Sequence, residues 1–165
     1  MYQVKGGRTV EQTNRLEELV QRYETTLFRA ALAILKNPQE AEDAVQDAFL
    51  RYLEKRPELR DEGHARAWLL TVCANGCKSR LRAVKRHPVT ELLDIYPAPD
   101  GDSREVAEAV LALPANQRAA VHLFYYEGYS TEEIARILGQ RPGTVRSHLS
   151  RARETLRREL KGAKL

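Results

Sequence analysis

Apolar residues recur along this chain at the three- and four-residue spacing of helices, and strict alternation is sustained nowhere. From about Thr13 to Lys36, the residues Leu16, Leu19, Val20, Tyr23, Leu27, Ala30, Ala31 and Ile34 keep to one face of a first helix. Residues 1 to about 12 are polar, contain glycine and are expected to fray. Asn37-Pro38 with Glu40 stops one helix and starts another: Asn37 caps, Pro38 takes the first turn and Glu40 closes the capping box. The second helix, Pro38 to about Lys55, turns Ala41, Val45, Ala48, Phe49 and Tyr52 towards the first. A charged loop with Pro57 leads to a third helix from about His64 to Lys85, apolar in its first half (AWLLTVCAN) and strongly basic in its second (CKSRLRAVKR). Next, the run RHPVTELLDIYPAPDGDS at residues 86–103 carries three Pro, one Gly and three Asp, the composition of a linker. Beyond it come a helix from about Ser103 to Leu113 and another opened by Pro114 and ended at Gly128.

The last stretch, YSTEEIARILGQRPGTVRSHLSRARETLRR, reads as a helix-turn-helix. Ser130 and Glu133 have capping-box spacing, and Gly139 suits the left-handed position after a helix. Pro142 suits the first turn of the next helix. Val145, Leu149, Ala152, Leu156 and Leu160 make one buried stripe of that helix. Arg146, Ser147, Ser150 and Arg151 fall on the opposite side. An α-helix fits the major groove, where Arg can grip guanine with two hydrogen bonds. Arg153, Arg157 and Arg158 add possible phosphate contacts. A solvated basic face is the plainer reading. The agreement of cap, turn and buried stripe favours DNA. The fold expected is all-α, with two small helical domains joined by a flexible linker and the helix-turn-helix in the C-terminal one.

Composition refines this picture. The 165 residues are 42% hydrophobic and 30% charged, enough for helical cores, with a net charge of +4. The charge is uneven: Asn37 to Glu62 holds eight acids against four bases, and Gly63 to Thr90 six bases and no acid. One acidic and one basic surface suggest two kinds of partner. On the second helix Asp43, Gln46, Asp47 and Leu50 share a side, and the pattern alone leaves open whether that side is solvated or docks something. The basic half of the third helix suits phosphate, because each phosphate neutralised releases counterions. Trp68 beside it suits core packing or stacking on an unpaired base.

Catalytic groupings are not in evidence: the sequence has no P-loop, Gly-rich dinucleotide turn or H-E-x-x-H. Asp43 and Asp47, one turn apart, are a weak metal pair at most. Cys73 and Cys77 lack a second pair, and with His64 and His87 they read better as packed thiols than as a metal site. No cofactor is expected. No apolar run approaches a membrane span and the N-terminus lacks a signal-peptide core, so a cytoplasmic protein without membrane insertion is expected.

Over roughly residues 13 to 162 the chain resembles the extracytoplasmic-function (ECF, group IV) class of bacterial RNA polymerase sigma factors. LPANQRAAVHLFYYEGYSTEEIARILGQRPGTVRSHLSRARETLRREL resembles that family's region 4, with its LP-x-x-x-R opening, E-E-I-A helix and G-T-V-R-S turn. AEDAVQDAFLR and AWLLTVCANGCKSRLR resemble region 2. The resemblance implies a region 2 domain at 13–86, a linker at 87–103 and a region 4 domain at 104–162. It implies docking on core RNA polymerase through Asp43, Gln46, Asp47 and Leu50. It implies −10 recognition and melting through Trp68, Asn75, Lys78, Arg80 and Arg82. Reading of the −35 element falls to Thr144, Arg146, Ser147, Ser150, Arg151 and Arg153. Promoter DNA, core polymerase and an anti-sigma factor are the implied partners. Ser79 departs from the pattern, standing where many members carry Asp, and Arg141 stands where Ser commonly caps the recognition helix. The rival reading is a conventional helix-turn-helix regulator acting without polymerase; a DNA-processing enzyme is a more distant third.

Overall fold

The computed structural model describes residues 6–96 and 104–160, with side chains from residue 10 onward, and among these there is no β-strand. The elements are α1 (Gly6–Leu35), α2 (Pro38–Lys55), α3 (Glu62–Arg80), α4 (Val89–Leu92), α5 (Arg104–Leu111), α6 (Ala115–Val121), α7 (Thr131–Leu138) and α8 (Pro142–Glu159). A π-helical turn, His122–Tyr126, extends α6.

Helices α1, α2 and α3 pack on one another, and α6, α7 and α8 form a second group. The Asn37 side chain accepts the Glu40 N–H at 3.1 Å and Pro38 sits at the first turn of α2, as the sequence predicts. The Glu40 carboxylate does not close the box. It accepts from Arg80 of α3 instead, at 3.3 Å, so a long-range ion pair takes the place of the local bond.

Two helices differ in extent from expectation. α1 begins at Gly6 rather than near Thr13, because nothing between Thr9 and Thr13 breaks a helix and polar residues with fair helix propensity extend it beyond its apolar face. α3 begins at Glu62, capped by Asp61, and ends at Arg80 rather than Lys85. The following residues turn back: the Lys85 carbonyl accepts from the Asn37 side chain at 2.7 Å, and the Lys36 carbonyl accepts the His87 N–H at 2.9 Å. The basic rod is thereby cut short, and Arg82 lies in the turn beyond it.

The start of α3 is fixed to α1 by Glu62. Its carboxylate accepts from Tyr23 Oη at 2.7 Å and Arg15 at 3.0 Å, and pairs with Arg22 at 3.0 Å. These donors, Tyr23 foremost, hold its pKa down at about 2.

The helical groups share one continuous core. Ala30, Ala31 and Ile34 of α1 and Leu70, Cys73 and Ala74 of α3 line the same small cavity as Ala119, His122, Leu123 and Ile137. Arg118, buried at the start of the C-terminal group, donates to the carbonyls of Ala33, Ile34 and Leu113. The expected linker is also structured in part. Residues 89–92 form α4, and Leu92 and Tyr96 are fully buried. Their apolar side chains outweigh the turn-rich composition around them; residues 97–103 lie outside the described residues.

Glu62 yields a pH prediction. A carboxyl held below its ordinary value of 4.5 stabilises the fold above that pH, and the contribution is lost as pH falls towards 2. Urea unfolding of Glu62→Gln is expected to show a lower midpoint than wild type at pH 7 and a gap that narrows by pH 3. A gap independent of pH would contradict the assignment.

Candidate nucleic-acid interface

In the helix-turn-helix, Ser130 Oγ accepts the Glu133 N–H at 3.2 Å and opens α7. Gly139 ends that helix at φ 63°, ψ 39°, the left-handed conformation a side chain disfavours. α8 starts with Pro142 in its first turn and with Arg141 extended, the Arg141 side chain making no cap. Val145, Leu149, Ala152, Leu156 and Leu160 are all buried, so the opposite face is forced outward. Thr144, Arg146, Ser147, Ser150 and Arg151 are accordingly exposed. Arg146 has only a loose neighbour, Glu132 at 3.9 Å. The exposed set spans α8 from its first turn through its third, which is the geometry of a groove-reading helix. Arg153 stands apart: its guanidinium donates to Tyr125 Oη at 2.7 Å and lies over the Phe124 ring. The sequence places it on the basic face; the π turn draws it to that face's edge.

On the N-terminal group, Asp43, Gln46, Asp47 and Leu50 are all exposed on α2, and Leu50 is 56% exposed despite being apolar. Beside them an open groove of about 710 Å³ runs between α1 and α2, lined by Leu16, Val20, Phe28, Val45, Phe49 and Leu53 among others. An apolar groove edged by Glu24, Glu42 and Gln46 suits an amphipathic partner with basic residues.

Asn75 and Lys78 are exposed on α3, the Lys78 amine lying near the Gly139 turn, and Arg82 is exposed in the turn after α3. Arg80 is held among carboxylates: it donates to Asp47 and to Glu40. Its hydrogen bond to Asp47 raises its pKa. Two candidate residues assigned to different partners thus bind each other. Next to them a cavity of about 590 Å³ between α2 and α3 is lined by Asp47, Leu50, Arg51, Val72, Asn75 and Arg80. Arg51 is absent from the sequence-based site, although its place four residues after Asp47 puts it on the same helix face. Trp68 is half-buried, edge-on to Tyr52 at 6.2 Å. It also lines a cavity of about 430 Å³ between α3 and α7 with His64, Thr71, Tyr129 and Arg136. Core packing and exposure therefore both describe Trp68.

Cys73 and Cys77 are buried free thiols. The described residues contain no group of three or more His, Cys, Asp or Glu able to hold a metal. No described helix is long and apolar enough to cross a membrane.

These features, a helix-turn-helix with an exposed polar and basic face on one helical group and an acidic helix next to a basic one on the other, are those of a helical DNA-binding class of protein. Comparison with known proteins narrows the class. Residues 19–87 match the family profile "Sigma-70 region 2" and residues 103–156 match "Sigma-70, region 4". The chain is 36% identical over 149 residues to the ECF RNA polymerase sigma factor SigM of Mycobacterium tuberculosis, covering 87% of this chain and 76% of that one. It is 31% identical over 168 residues to SigL of the same organism, covering 95% and 94%. Among solved structures it is similar to the sigma factor RpoE of Bartonella quintana in complex with the anti-sigma factor NepR, with a TM-score of 0.68, 29% identity, and 90% and 98% of the two chains covered. The chain belongs to the ECF RNA polymerase sigma factors.

The tight turn gives a prediction. Gly139→Ala places a Cβ in left-handed backbone, 3.4 Å from Lys78 Nζ, and is expected to cost about 1–2 kcal/mol. In thermal unfolding this lowers Tm by roughly 2–8 °C; an unchanged Tm would show that the turn tolerates a side chain.

Proposed function

We propose that this sigma factor, a group IV member, divides labour with core RNA polymerase. The polymerase supplies the chemistry, and this chain supplies promoter choice and strand opening in the cytoplasm, where the enzyme and its template lie. The observation that carries the reading is the exposed face of α8, built opposite a wholly buried stripe, on a chain that also exposes an acidic stripe on α2. A regulator acting alone has no need of the second face.

In this reading residues 13–86 dock on polymerase and open the −10 element, 87–103 connect, and 104–162 read the −35 element. Thr144, Arg146, Ser147, Ser150 and Arg151 face the −35 groove, with Arg153 at the edge, braced by Tyr125. Asp43, Gln46, Asp47 and Leu50 meet the polymerase. Asn75, Lys78, Arg80 and Arg82 meet the −10 strand, with Trp68 at hand for stacking. Extruding a base costs a few kcal/mol, and capture in the cavity between α2 and α3 offsets that cost. A polymerase cation reaching Asp47 competes with Arg80 for the carboxylate, so docking frees Arg80 for phosphate. Each domain grips weakly alone; a shared polymerase raises the effective concentration of the second contact. An anti-sigma factor is the expected antagonist. The RpoE–NepR likeness supports it, as does the acid-edged groove between α1 and α2.

Gel shifts on promoter DNA with and without core enzyme test the reading: the shift should require core, and a dimer bound to a palindrome without core would establish the conventional regulator instead. Arg146→Ala or Arg151→Ala should cost about 1–3 kcal/mol and relax preference at one −35 position, read by competition between single-base promoter variants. Unaltered preference in both would move the reading face elsewhere. Asp47→Lys should weaken co-purification with core while leaving helical circular dichroism intact. Undiminished co-purification would reject the α2 face.

A further inference from the structure

The basic side of α8 continues past the residues that can face a base. Arg146, Ser150, Arg153 and Arg157 follow one another at helical spacing and form a ridge along the flank of the exposed face. Arg146, Ser150 and Arg157 are exposed, whereas Arg153 is half-buried. What covers it is the π turn. That turn is closed by a bond from the Glu127 N–H to the His122 carbonyl at 3.2 Å, and so holds one residue more than an α turn. His122 and Tyr126 stack at 5.1 Å on its core side. Tyr125 is carried outward, 45% exposed, against α8.

There the Tyr125 hydroxyl accepts from Arg153 Nε at 2.7 Å. The guanidinium lies 5.5 Å from the centre of the Phe124 ring and 5.8 Å from that of Tyr125. The two rings meet edge to face at 4.9 Å, which limits how far either swings. Nε is thereby used, and the terminal N–H groups of the fork are left, the pair that fits two oxygens of a phosphate. The hydroxyl accepts the Arg153 proton, so its own hydrogen is still there to be donated. The polar partner of Arg153 among the described residues is thus a neutral hydroxyl and not a carboxylate. Arg66 and Arg80, by contrast, donate to Glu127 and Asp47. A cation held in position with its charge uncancelled, beside a free O–H donor, is built for an oxyanion. Its place on the flank decides which one. A helix in the major groove has a sugar-phosphate strand alongside it, and the flank of α8 turns Arg153 towards that strand rather than towards base edges.

We propose that Tyr125 and Arg153 form a phosphate clamp: one backbone phosphate beside the −35 element takes the Arg153 fork and the Tyr125 hydroxyl, and Tyr125 is also the residue that positions the fork. The clamp rests on the −35 reading proposed above. It fixes how α8 is seated on the duplex and carries no sequence information of its own.

Binding of the holoenzyme to a promoter fragment, measured across salt concentrations, tests this. Arg153→Ala should weaken binding roughly fivefold. The loss should be alike on every single-base −35 variant, and the salt dependence should flatten by about one counterion. Tyr125→Phe keeps the ring and the Arg153 charge and loses the hydroxyl. It should weaken binding less and leave the salt slope unchanged. In a second arm, uncharged methylphosphonate linkages replace the phosphates of the −35 element one at a time. At one position the replacement should weaken wild type roughly fivefold and weaken Arg153→Ala no further, the non-additivity of two groups in contact. The same position should cost Tyr125→Phe less than it costs wild type, so the comparison stands even where loss of the Arg153 side chain loosens the fold. Penalties that add for both variants at every position overturn the clamp. If Arg153→Ala then also binds core enzyme less tightly, the pair faces an acidic surface of the polymerase instead. A lowered Tm together with altered single-base preference overturns it too, and makes the pair a support for α8. Wild-type holoenzyme that leaves the promoter unbound strikes the functional reading, and the clamp with it.

Discussion

Arg118 carries its charge inside the protein with backbone carbonyls as its partners. Its nitrogens donate to Ala33, Ile34 and Leu113, and burial lowers its pKa to about 10, which leaves it a cation at neutral pH. Two of those carbonyls belong to the last turn of α1, where a helix has acceptors to spare and a partial negative charge. A side chain from the C-terminal group thus caps the longest helix of the N-terminal one. Hydrogen bonds to a charged group contribute about 1.5–3 kcal/mol each, net of the bonds to water that they replace. On separation water can satisfy both sides, so the contact holds the groups together without making the closure permanent.

The apolar seam around Arg118 follows the same logic. Small side chains on α1 and α3 let the helices of the C-terminal group approach closely, while Arg66–Glu127 and Tyr96–His122 fix the alignment. The exposed face of α8 and the acidic stripe of α2 take no part in this seam. The packing of the two groups therefore leaves those faces presented and restrains their separation.

Legibility in the sequence followed the range of the interaction. The helix-turn-helix was readable because cap, turn and stripe are all local: Ser130 with Glu133, Gly139, and Val145 to Leu160. The faces of α1 and α2 were readable from periodicity. Contacts distant in sequence left no trace of that kind. Nothing near Glu40 announces Arg80, nothing near Arg153 marks Tyr125 as its brace, and Arg118 appeared only as part of a family motif. The end of α3 is not legible in its own stretch because its brake is Asn37, nearly fifty residues away. The stretch after it read as linker from its Pro, Gly and Asp content, which concealed the apolar Leu92 and Tyr96. The resemblance to sigma factors supplied what periodicity lacked, a reason for an acidic helix and a basic one to sit side by side.

On the function proposed above, two modest grips, one per helical group, become selective only when polymerase sets their spacing. Run-off transcription with purified core polymerase over a library of promoter sequences tests this most directly. The account predicts initiation that depends on this chain, confined to promoters sharing both a −10 and a −35 sequence and sensitive to the spacing between them. Initiation that is the same with and without the chain, or indifferent to that spacing, would contradict it.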